Sequence, residues 1–184
     1  MKTTQIPFKN TGFFSKTMID YLEKNIQTKS FYGNFPSFEG LKKQLETKKV
    51  SVKKETRKVL VNVLKKQYQE VKTSELTLHN IHKLQLGNTF TITTGHQLNL
   101  FTGPLYFLYK IISTINLCEE LTSKFPENNF VPIYWMATED HDFEEINYFN
   151  FKGKKVRWNS DQTGGVGRSS TEGLDEVLNV LSNQ

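Results

Sequence analysis

Hydrophobic and polar residues alternate most clearly in the stretch that begins at Thr89. Its first six residues alternate apolar side chains with threonine, which predicts a β-strand with one apolar face. From Pro104 the apolar residues recur at helical spacing, and residues 130–137 then form an unbroken apolar run. Such a run predicts a strand buried on both faces. The order strand, helix, strand predicts a βαβ unit with a right-handed crossover.

The start of the predicted helix is set by Pro104, because proline is tolerated at the first helical position, where its missing N–H would have no intrahelical partner. Thr102 or Gly103 is then expected to be the cap. Cys118 belongs to the apolar stripe of this helix and is expected to be a packed core thiol. The stripe consists of Leu105, Leu108, Ile111, Ile112, Ile115, Cys118 and Leu121.

Three segments follow from the patterns along the rest of the chain. Residues 1–88 predict an amino-terminal helical segment that packs on the core, with the clearest amphipathic helix over residues 52–71. Residues 89–146 contain the βαβ unit, and residues 147–184 predict a β-hairpin, a glycine-rich loop and a last helix. The residues expected to face inward on the amphipathic helix are Val59, Val63 and Leu64.

The last segment contains two local signals. Its hairpin is expected to turn at Lys152-Gly153. The sequence DQTGGVGR, residues 161–168, is expected to be a mobile loop, with Arg168 available to contact an anion if the loop folds over a site. The final helical pattern runs up to the last residues, so we expect a truncated domain.

Composition narrows the class of protein. With 184 residues, 36% hydrophobic and 23% charged, the chain is long enough for one domain with a sizeable core. The net charge is +5, and lysines concentrate between Lys42 and Lys83. A basic helical face can bind nucleic acid or anionic lipid, but a solvated surface is the favoured interpretation, so we predict neither nucleic acid nor a membrane as partner.

Cysteine usage and hydropathy point to a compartment. Cys118 is the single cysteine, which rules out an intrachain disulfide and suits a reducing cytoplasm. No apolar run approaches the length that spans a bilayer, and the first ten residues lack the apolar segment of a secretory signal. We therefore predict a cytoplasmic protein.

One polar cluster follows the first predicted strand. It consists of Thr94, Gly95, His96 and Gln97, and the chain reaches the helix through Thr102, Gly103 and Pro104. Free N–H groups at a helix start favour phosphate, and a histidine in the turn could donate to a phosphate or a leaving group. The glycine spacing matches neither a P-loop nor GxGxxG. The alternative is an ordinary turn in which Gly95 supplies backbone freedom.

A second polar cluster follows the second predicted strand and consists of Glu139, Asp140, His141 and Asp142. These side chains could orient the hydroxyl or amino groups of a substrate. Adjacent residues point in different directions, so they cannot all converge, and a metal would need ligands from elsewhere. We predict no metal. The alternative is a hydrogen-bonded loop in which an aspartate caps a turn or helix.

Topology relates the two clusters. In open α/β sheets, ligands bind outside the carboxyl ends of the strands. Both clusters lie just past such an end, so neighbouring strands would bring them to one crevice.

Longer motifs carry a resemblance. TGHQLNLFTGPLYFLYKIISTI, followed by VPIYWMATEDHDFEEIN, closely resembles the BshC family of bacillithiol biosynthesis proteins, the cysteine-adding enzymes of that pathway. NIHKL at residues 80–84 and GVGR at residues 165–168 fit the same family. The resemblance covers most of the chain.

The resemblance implies an α/β fold with a Rossmann-like, nucleotidyltransferase-like parallel sheet core. It implies inserted connective regions, of which the end of this chain would be the start, and a coiled coil that could support a homodimer. The implied reaction joins cysteine to glucosaminyl-malate through an amide, with ATP or ADP as the nucleotide. Family members are much longer than this chain, so we expect an amino-terminal fragment.

Roles for the two clusters follow from the same analogy. The first cluster and the approach to the helix would line the nucleotide or phosphate side. The residues concerned are Thr94, Gly95, His96, Gln97, Thr102, Gly103 and Pro104. Glu139, Asp140 and Asp142 would bind the substrate's amino, hydroxyl or sugar groups. The catalytic candidates are His96, Asp140, His141 and Asp142.

Two other functions compete with the ligase. One is a non-catalytic binding or assembly module that uses the basic helices and the last helix to pair with a partner. The other is a metal-dependent hydrolase built on Asp140, His141 and Asp142.

Overall fold

The computed structural model describes residues 3–183. Their contacts divide the chain into two compact units, the first ending at Lys53 and the second beginning at Lys54. The division falls inside the segment 1–88 that the sequence analysis treats as one helical segment. The helices after Lys54 belong with the strands.

The first unit consists of short helices. Two 3-10 helices, Phe8–Asn10 and Ile26–Phe31, alternate with helices α1, Lys16–Leu22, and α2, Phe38–Ser51. Both α-helices begin at a serine cap, since Ser15 accepts a hydrogen bond from the N–H of Met18 and Ser37 accepts one from Gly40.

The second unit opens with helices α3, Lys54–Gln67, and α4, Glu75–Lys83. Both pack on the sheet through a core cluster of buried side chains. The members of this cluster are Val61, Ile81, Leu84 and Val131.

The predicted inward face of α3 is wrong for two of its three residues. Val59 is 63% exposed and Val63 is 45% exposed. The helix instead buries Arg57 and Val61, with Leu64 packed beside them. Residues 57, 61 and 64 share one face at helical spacing, which places Val59 and Val63 around the other side.

The predicted parallel strand pair is confirmed. Strand β1, Thr89–His96, pairs in parallel with β2, Asn129–Met136, and His96 lies opposite Met136 at the carboxyl end. Helix α5, Tyr106–Lys124, connects them and packs on both. The unit is therefore an α/β domain with a parallel sheet.

Burial of β2 on both faces is confirmed only near its start. Phe130 and Val131 are buried, whereas Trp135 is 60% exposed and Met136 is 57% exposed. Burial of a strand depends on the layers that cover it, and α4 covers the half of β2 that contains Val131.

Two predictions about α5 are wrong. The helix begins at Tyr106 with Leu105 as its cap residue, without a capping side chain, rather than at Pro104 after Thr102 or Gly103. The cause lies before it, where Phe101 and Thr102 have positive φ and Gly103 turns the chain. Only part of the predicted stripe is buried, and its exposed members are Leu105, Leu108, Ile112 and Ile115.

After β2 the chain forms helix α6, Phe143–Ile146, then the antiparallel strands β3, Tyr148–Phe151, and β4, Lys154–Arg157. The predicted hairpin turn at Lys152-Gly153 is confirmed, with φ +47° and +77°. Helix α7, Leu174–Ser182, packs on the hairpin through a core of Val156, Trp158 and Val177. Among the described residues, no helix combines the length and apolar character needed to cross a bilayer.

Candidate functional site

The carboxyl end of β1 is held close to β2. A Cβ atom added at Gly95 would lie 2.9 Å from the carbonyl oxygen of Trp135 and 3.0 Å from its Cβ, a separation that real side chains do not adopt. Lys110 on α5 donates to the carbonyl oxygen of Gly95 at 2.8 Å. Gly95 therefore allows the two strands to approach where the first polar cluster begins.

The His96 ring is contacted through both of its nitrogens. Nε2 lies 2.5 Å from the hydroxyl oxygen of Tyr106, and Nδ1 lies 2.8 Å from the side-chain nitrogen of Asn99. Its ring also meets Phe107 edge-on, with the centroids 5.9 Å apart. These contacts fix the orientation of the imidazole at the end of the strand.

The turn between His96 and α5 depends on Gly103. Gly103 adopts φ +59° and ψ −143°, a combination open essentially to glycine alone. A Cβ atom there would lie 2.6 Å from Cβ of Asn99. The turn therefore brings Asn99 against Gly103 and beside the His96 ring.

These elements surround a cavity of about 590 Å³ that opens at the carboxyl end of β1. The turn and the start of α5 form one wall of the cavity, and α6 and β3 form the other. We call this cavity the crevice. Its lining residues are His96, Gln97, Asn99, Gly103, Pro104, Leu105, Tyr106, Glu145, Tyr148, Phe149 and Asn150.

The crevice contains only part of the first predicted cluster. His96, Gln97, Gly103 and Pro104 line it. Thr94, Gly95 and Thr102 are not among its lining residues.

The second predicted cluster forms a hydrogen-bonded loop. Asp140 accepts a hydrogen bond from the N–H of Asp142 at 2.9 Å, and Asp142 accepts one from the N–H of Glu145 at 3.3 Å, which makes Asp142 the cap of α6. Glu139 lies 3.4 Å from the indole nitrogen of Trp135. The N–H of Asp142 and the side chain of Gln97 hold the pKa of Asp140 below its ordinary value of 3.8.

The two predicted clusters do not line the same cavity, which corrects the expectation of one shared crevice. None of Glu139, Asp140, His141 and Asp142 lines the crevice. His141 and Asp142 instead line an open depression of about 410 Å³, together with Phe143, Glu144, Ser160, Asp161 and Gln162. Asp140 lines neither cavity and instead hydrogen-bonds to the side chain of Gln97 at the end of β1.

Gln97 connects the two clusters. Its side-chain nitrogen donates to Glu145 at 2.7 Å, and its amide also hydrogen-bonds to Asp140. A single amide therefore joins the wall of the crevice to the loop of residues 139–142, which we call the acidic loop.

The glycine-rich segment is not the free loop that its composition predicts. The N–H of Val166 donates to the carbonyl oxygen of Asp140 at 2.8 Å, and that of Gly167 donates to Thr138 at 3.0 Å. A Cβ atom at Gly167 would lie 2.5 Å from Cβ of Thr138. The segment therefore docks on the acidic loop, and Arg168 ends its 3-10 turn without lining either cavity.

Several crevice residues are not candidates in the sequence analysis. Tyr106 had a usable signal, because it lies in the same motif as His96 and follows the predicted cap. Asn99 also lies within that motif, between two leucines. Glu145 lies within the second motif, whereas Tyr148 and Asn150 lie outside both motifs, and their position depends on how β3 packs. Within residues 3–183, no group of three His, Cys, Asp or Glu side chains is arranged to hold a metal ion.

A parallel strand pair joined by a helix, with a polar crevice at the carboxyl end of a strand, is the βαβ unit from which Rossmann-like α/β domains are built. The sequence model of one family matches residues 1–184 and is described as "Bacillithiol biosynthesis BshC, N-terminal Rossmann-like domain". The chain belongs to the BshC family.

Curated relatives give the same result. The chain is 60% identical over 182 residues to a protein of Flavobacterium johnsoniae, and 59% identical over 182 residues to one of Flavobacterium psychrophilum. A protein of Cytophaga hutchinsonii is 46% identical over 177 residues. These alignments cover 99%, 98% and 96% of this chain and 34% of each relative. All three relatives are named "Putative cysteine ligase BshC", and the chain spans about a third of their length.

Proposed function

We propose that this domain takes part in a cysteine ligase reaction of bacillithiol biosynthesis, in which the carboxyl group of cysteine is joined to the amino group of glucosaminyl-malate. Family membership supports the reaction class. A carboxylate and an amine do not form an amide in water without activation, so we propose ATP or ADP as the nucleotide of the reaction.

One observation carries the proposal of a site in this chain. A cavity of about 590 Å³ lies at the carboxyl end of β1 and is lined by His96, Gln97 and Gly103. Ligands of open α/β sheets bind at that edge, and a volume of this size fits a small-molecule ligand. We therefore propose that the phosphates of the nucleotide bind in the crevice.

The acidic loop would bind the amino or hydroxyl groups of the acceptor, glucosaminyl-malate. Asp140 is ionised at neutral pH, because its pKa lies below the ordinary value of 3.8, and a carboxylate can bind an ammonium or sugar hydroxyl. Gln97 would transmit the position of the acidic loop to the crevice through its bonds to Glu145 and Asp140. The remaining proposed residues on this side are Glu139, His141 and Asp142, of which Asp142 also caps α6.

The proposal is tested by calorimetric titration of the chain with ATP, ADP, cysteine and glucosaminyl-malate. Saturable binding is expected for the native sequence and is expected to be lost in His96→Ala. His79→Ala is the matched control, because His79 is an exposed histidine on α4, away from the crevice. Absence of binding to the native chain, or equal binding in both variants, would contradict the proposal.

A second variant addresses the acidic loop. Asp142→Asn keeps an oxygen that can cap α6 but removes a charge. If the loop binds the acceptor, this variant is expected to weaken the binding of glucosaminyl-malate while leaving the affinity for ADP unchanged. Unchanged affinity for both would restrict Asp142 to its role as a cap.

We further propose a cytoplasmic location, which the free Cys118 thiol supports. A homodimer formed through a coiled coil remains a proposal that rests on the resemblance to the family.

A further inference from the structure

The amide of Asn99 has a defined orientation in the wall of the crevice. Its side-chain nitrogen lies 3.2 Å from the carbonyl oxygen of Gln97 and 2.8 Å from Nδ1 of His96. A carbonyl oxygen only accepts hydrogen bonds, so the group facing it must be the NH₂ of Asn99 and not its oxygen. The same NH₂ then directs its second hydrogen at His96.

This orientation selects one form of the His96 ring. Nδ1 must accept the hydrogen bond from Asn99, so a neutral imidazole carries its proton on Nε2. The competing arrangement, in which Nδ1–H donates to Gln97, has a longer separation of 3.3 Å and uses a carbonyl that Asn99 already contacts. The shorter contact at 2.8 Å decides for the Nε2–H form.

Tyr106 is the next group in this series. Nε2–H of His96 donates to the Tyr106 oxygen at 2.5 Å, so the hydroxyl hydrogen of Tyr106 is not used in that contact. Tyr106 lines the crevice and is 51% exposed, which leaves its hydrogen free to point into the cavity. The Lys110 ammonium lies 5.6 Å from the centroid of the Tyr106 ring and adds positive charge nearby.

We propose that Tyr106 is a ligand-binding residue whose hydroxyl donates a hydrogen bond to an oxyanion in the crevice, with Asn99 acting through His96 as a positioning residue. The proposal deepens the proposed function and rests on its placement of ligand in the crevice. The oxyanion is a phosphate group of a nucleotide or the carboxylate of cysteine, which share the same acceptor chemistry. A hydrogen bond to a charged acceptor is stronger than one between neutral groups.

The form of the His96 ring is measured without any ligand. Nitrogen-15 NMR of the chain at a pH where His96 is neutral is expected to give an unprotonated Nδ1 and a protonated Nε2. Asn99→Asp places a carboxylate acceptor beside Nδ1 and is expected to move the proton to Nδ1. A protonated Nδ1 in the native chain would overturn the proposal, and a purely structural role for Asn99 would leave the ring form unchanged.

The role of the hydroxyl is measured with three probes, which are ADP, inorganic pyrophosphate and L-cysteine. Tyr106→Phe removes the hydroxyl oxygen. It is expected to lower the affinity for the probe whose oxyanion this hydroxyl binds by about tenfold. Tyr109→Phe is the matched control, because Tyr109 lies on the same helix, is 63% exposed and does not line the crevice. Its affinity is expected to equal that of the native chain.

The pattern across probes identifies the oxyanion. A loss for both ADP and pyrophosphate assigns the contact to phosphate, whereas a loss for cysteine alone assigns it to carboxylate. If His96→Ala abolishes ADP binding while Tyr106→Phe binds every probe as the native chain does, the proposed function stands and the role of Tyr106 is overturned. If no probe binds the native chain, both are overturned.

Discussion

Gly103 occupies a backbone conformation that other residues avoid. Its φ of +59° and ψ of −143° turn the chain from a short 3-10 helix, Leu100–Thr102, into α5. The position is also crowded, because atoms of the Asn99 side chain lie 2.6 to 2.8 Å from where a Cβ would be. The turn therefore needs glycine for both conformation and space.

Gly103→Ala is expected to lower the free energy of unfolding by about 2 kcal/mol or more, since backbone strain and a clash add together. Urea denaturation followed by circular dichroism measures the change. The control is Gly87→Ala, because Gly87 has no positive φ and a methyl group added there would meet nothing within 4 Å. The control is expected to stay within about 0.5 kcal/mol of the native chain, and equal losses in both variants would contradict the role given to Gly103.

Cys118 is 4% exposed, and burial raises the pKa of its thiol from 9.0 to about 11. The raised pKa means that the folded protein favours the neutral thiol. The contribution of the buried neutral thiol to the stability of the folded state is fully present below pH 9. It is lost as pH rises towards 11, because the thiol of the unfolded chain ionises first.

The difference in unfolding free energy between the native chain and Cys118→Ala is therefore expected to shrink by roughly 2–3 kcal/mol between pH 9 and pH 11. Urea titrations of both proteins at several pH values measure it, and the comparison cancels the other groups that titrate in this range. A difference that stays constant across the range would show that Cys118 is not desolvated.

At the scale of secondary structure, α3 shows that an amphipathic pattern can have more than one apolar face. Val61 is 2% exposed and belongs to the core on β2, whereas Val59 on the same helix is 63% exposed. Arg57 is also buried, and its Nη1 donates to the carbonyl oxygen of Leu84 at the end of α4 at 3.1 Å. Contact with α4 and the sheet selects the face.

Val61→Ala is expected to lower the free energy of unfolding by about 2 kcal/mol, because it leaves a cavity in a packed core. Val59→Ala makes the same chemical change on the exposed face and is expected to alter stability by less than about 0.5 kcal/mol. Thermal and urea unfolding of the pair measure both values. Similar losses in the two variants would mean that the faces of α3 are wrongly assigned.

The docked glycine-rich segment is a second element-scale feature. Two main-chain hydrogen bonds hold it on the loop after β2, and Gly167 allows the close approach to Thr138. Gly167→Ala is therefore expected to undock the segment and to increase amide hydrogen exchange at Val166 and residue 167 by at least tenfold. Unchanged protection at both positions would show that the contact does not depend on the glycine.

At the scale of the whole molecule, the boundary between the two compact units falls at Lys53 and Lys54. Residues 52–53 lie outside the flanking helices and are exposed. Limited trypsin digestion is expected to cut here early, because proteases prefer exposed segments between compact units. Mass spectrometry is expected to show a product that begins at Lys54 and persists. Early cuts inside α3 or α4 would contradict the division.

Local patterns in the sequence predicted much of the second unit, which begins at Lys54. The hairpin at Lys152-Gly153 depends on backbone preferences at two adjacent residues, and it forms where expected. The alternation after Thr89 and the apolar run that follows likewise predicted β1 and β2, and their parallel pairing followed from the helix between them. The start of α5 was missed because positive φ at Phe101 and Thr102 is not visible in the hydrophobic pattern.

The site was harder to predict than the fold. His96, Gln97 and Gly103 could be singled out because they lie in one motif after a predicted strand, and they line the crevice. Glu145 could not, because its contact with Gln97 joins residues 48 positions apart. His141 and Asp142 line a depression other than the crevice, and this depends on the path of the chain after Met136, which the sequence pattern does not contain.

Periodicity and turn chemistry depend on residues close together in sequence, and for that reason the sequence was sufficient for most of the elements and for the parallel pair. Its longer motifs carried the resemblance to the family. Which face of α3 is buried, how β2 is covered and which side chains meet His96 depend on contacts between distant residues. Those contacts form only when α3 to α5, the sheet and the hairpin pack together, so the tertiary structure alone decided them.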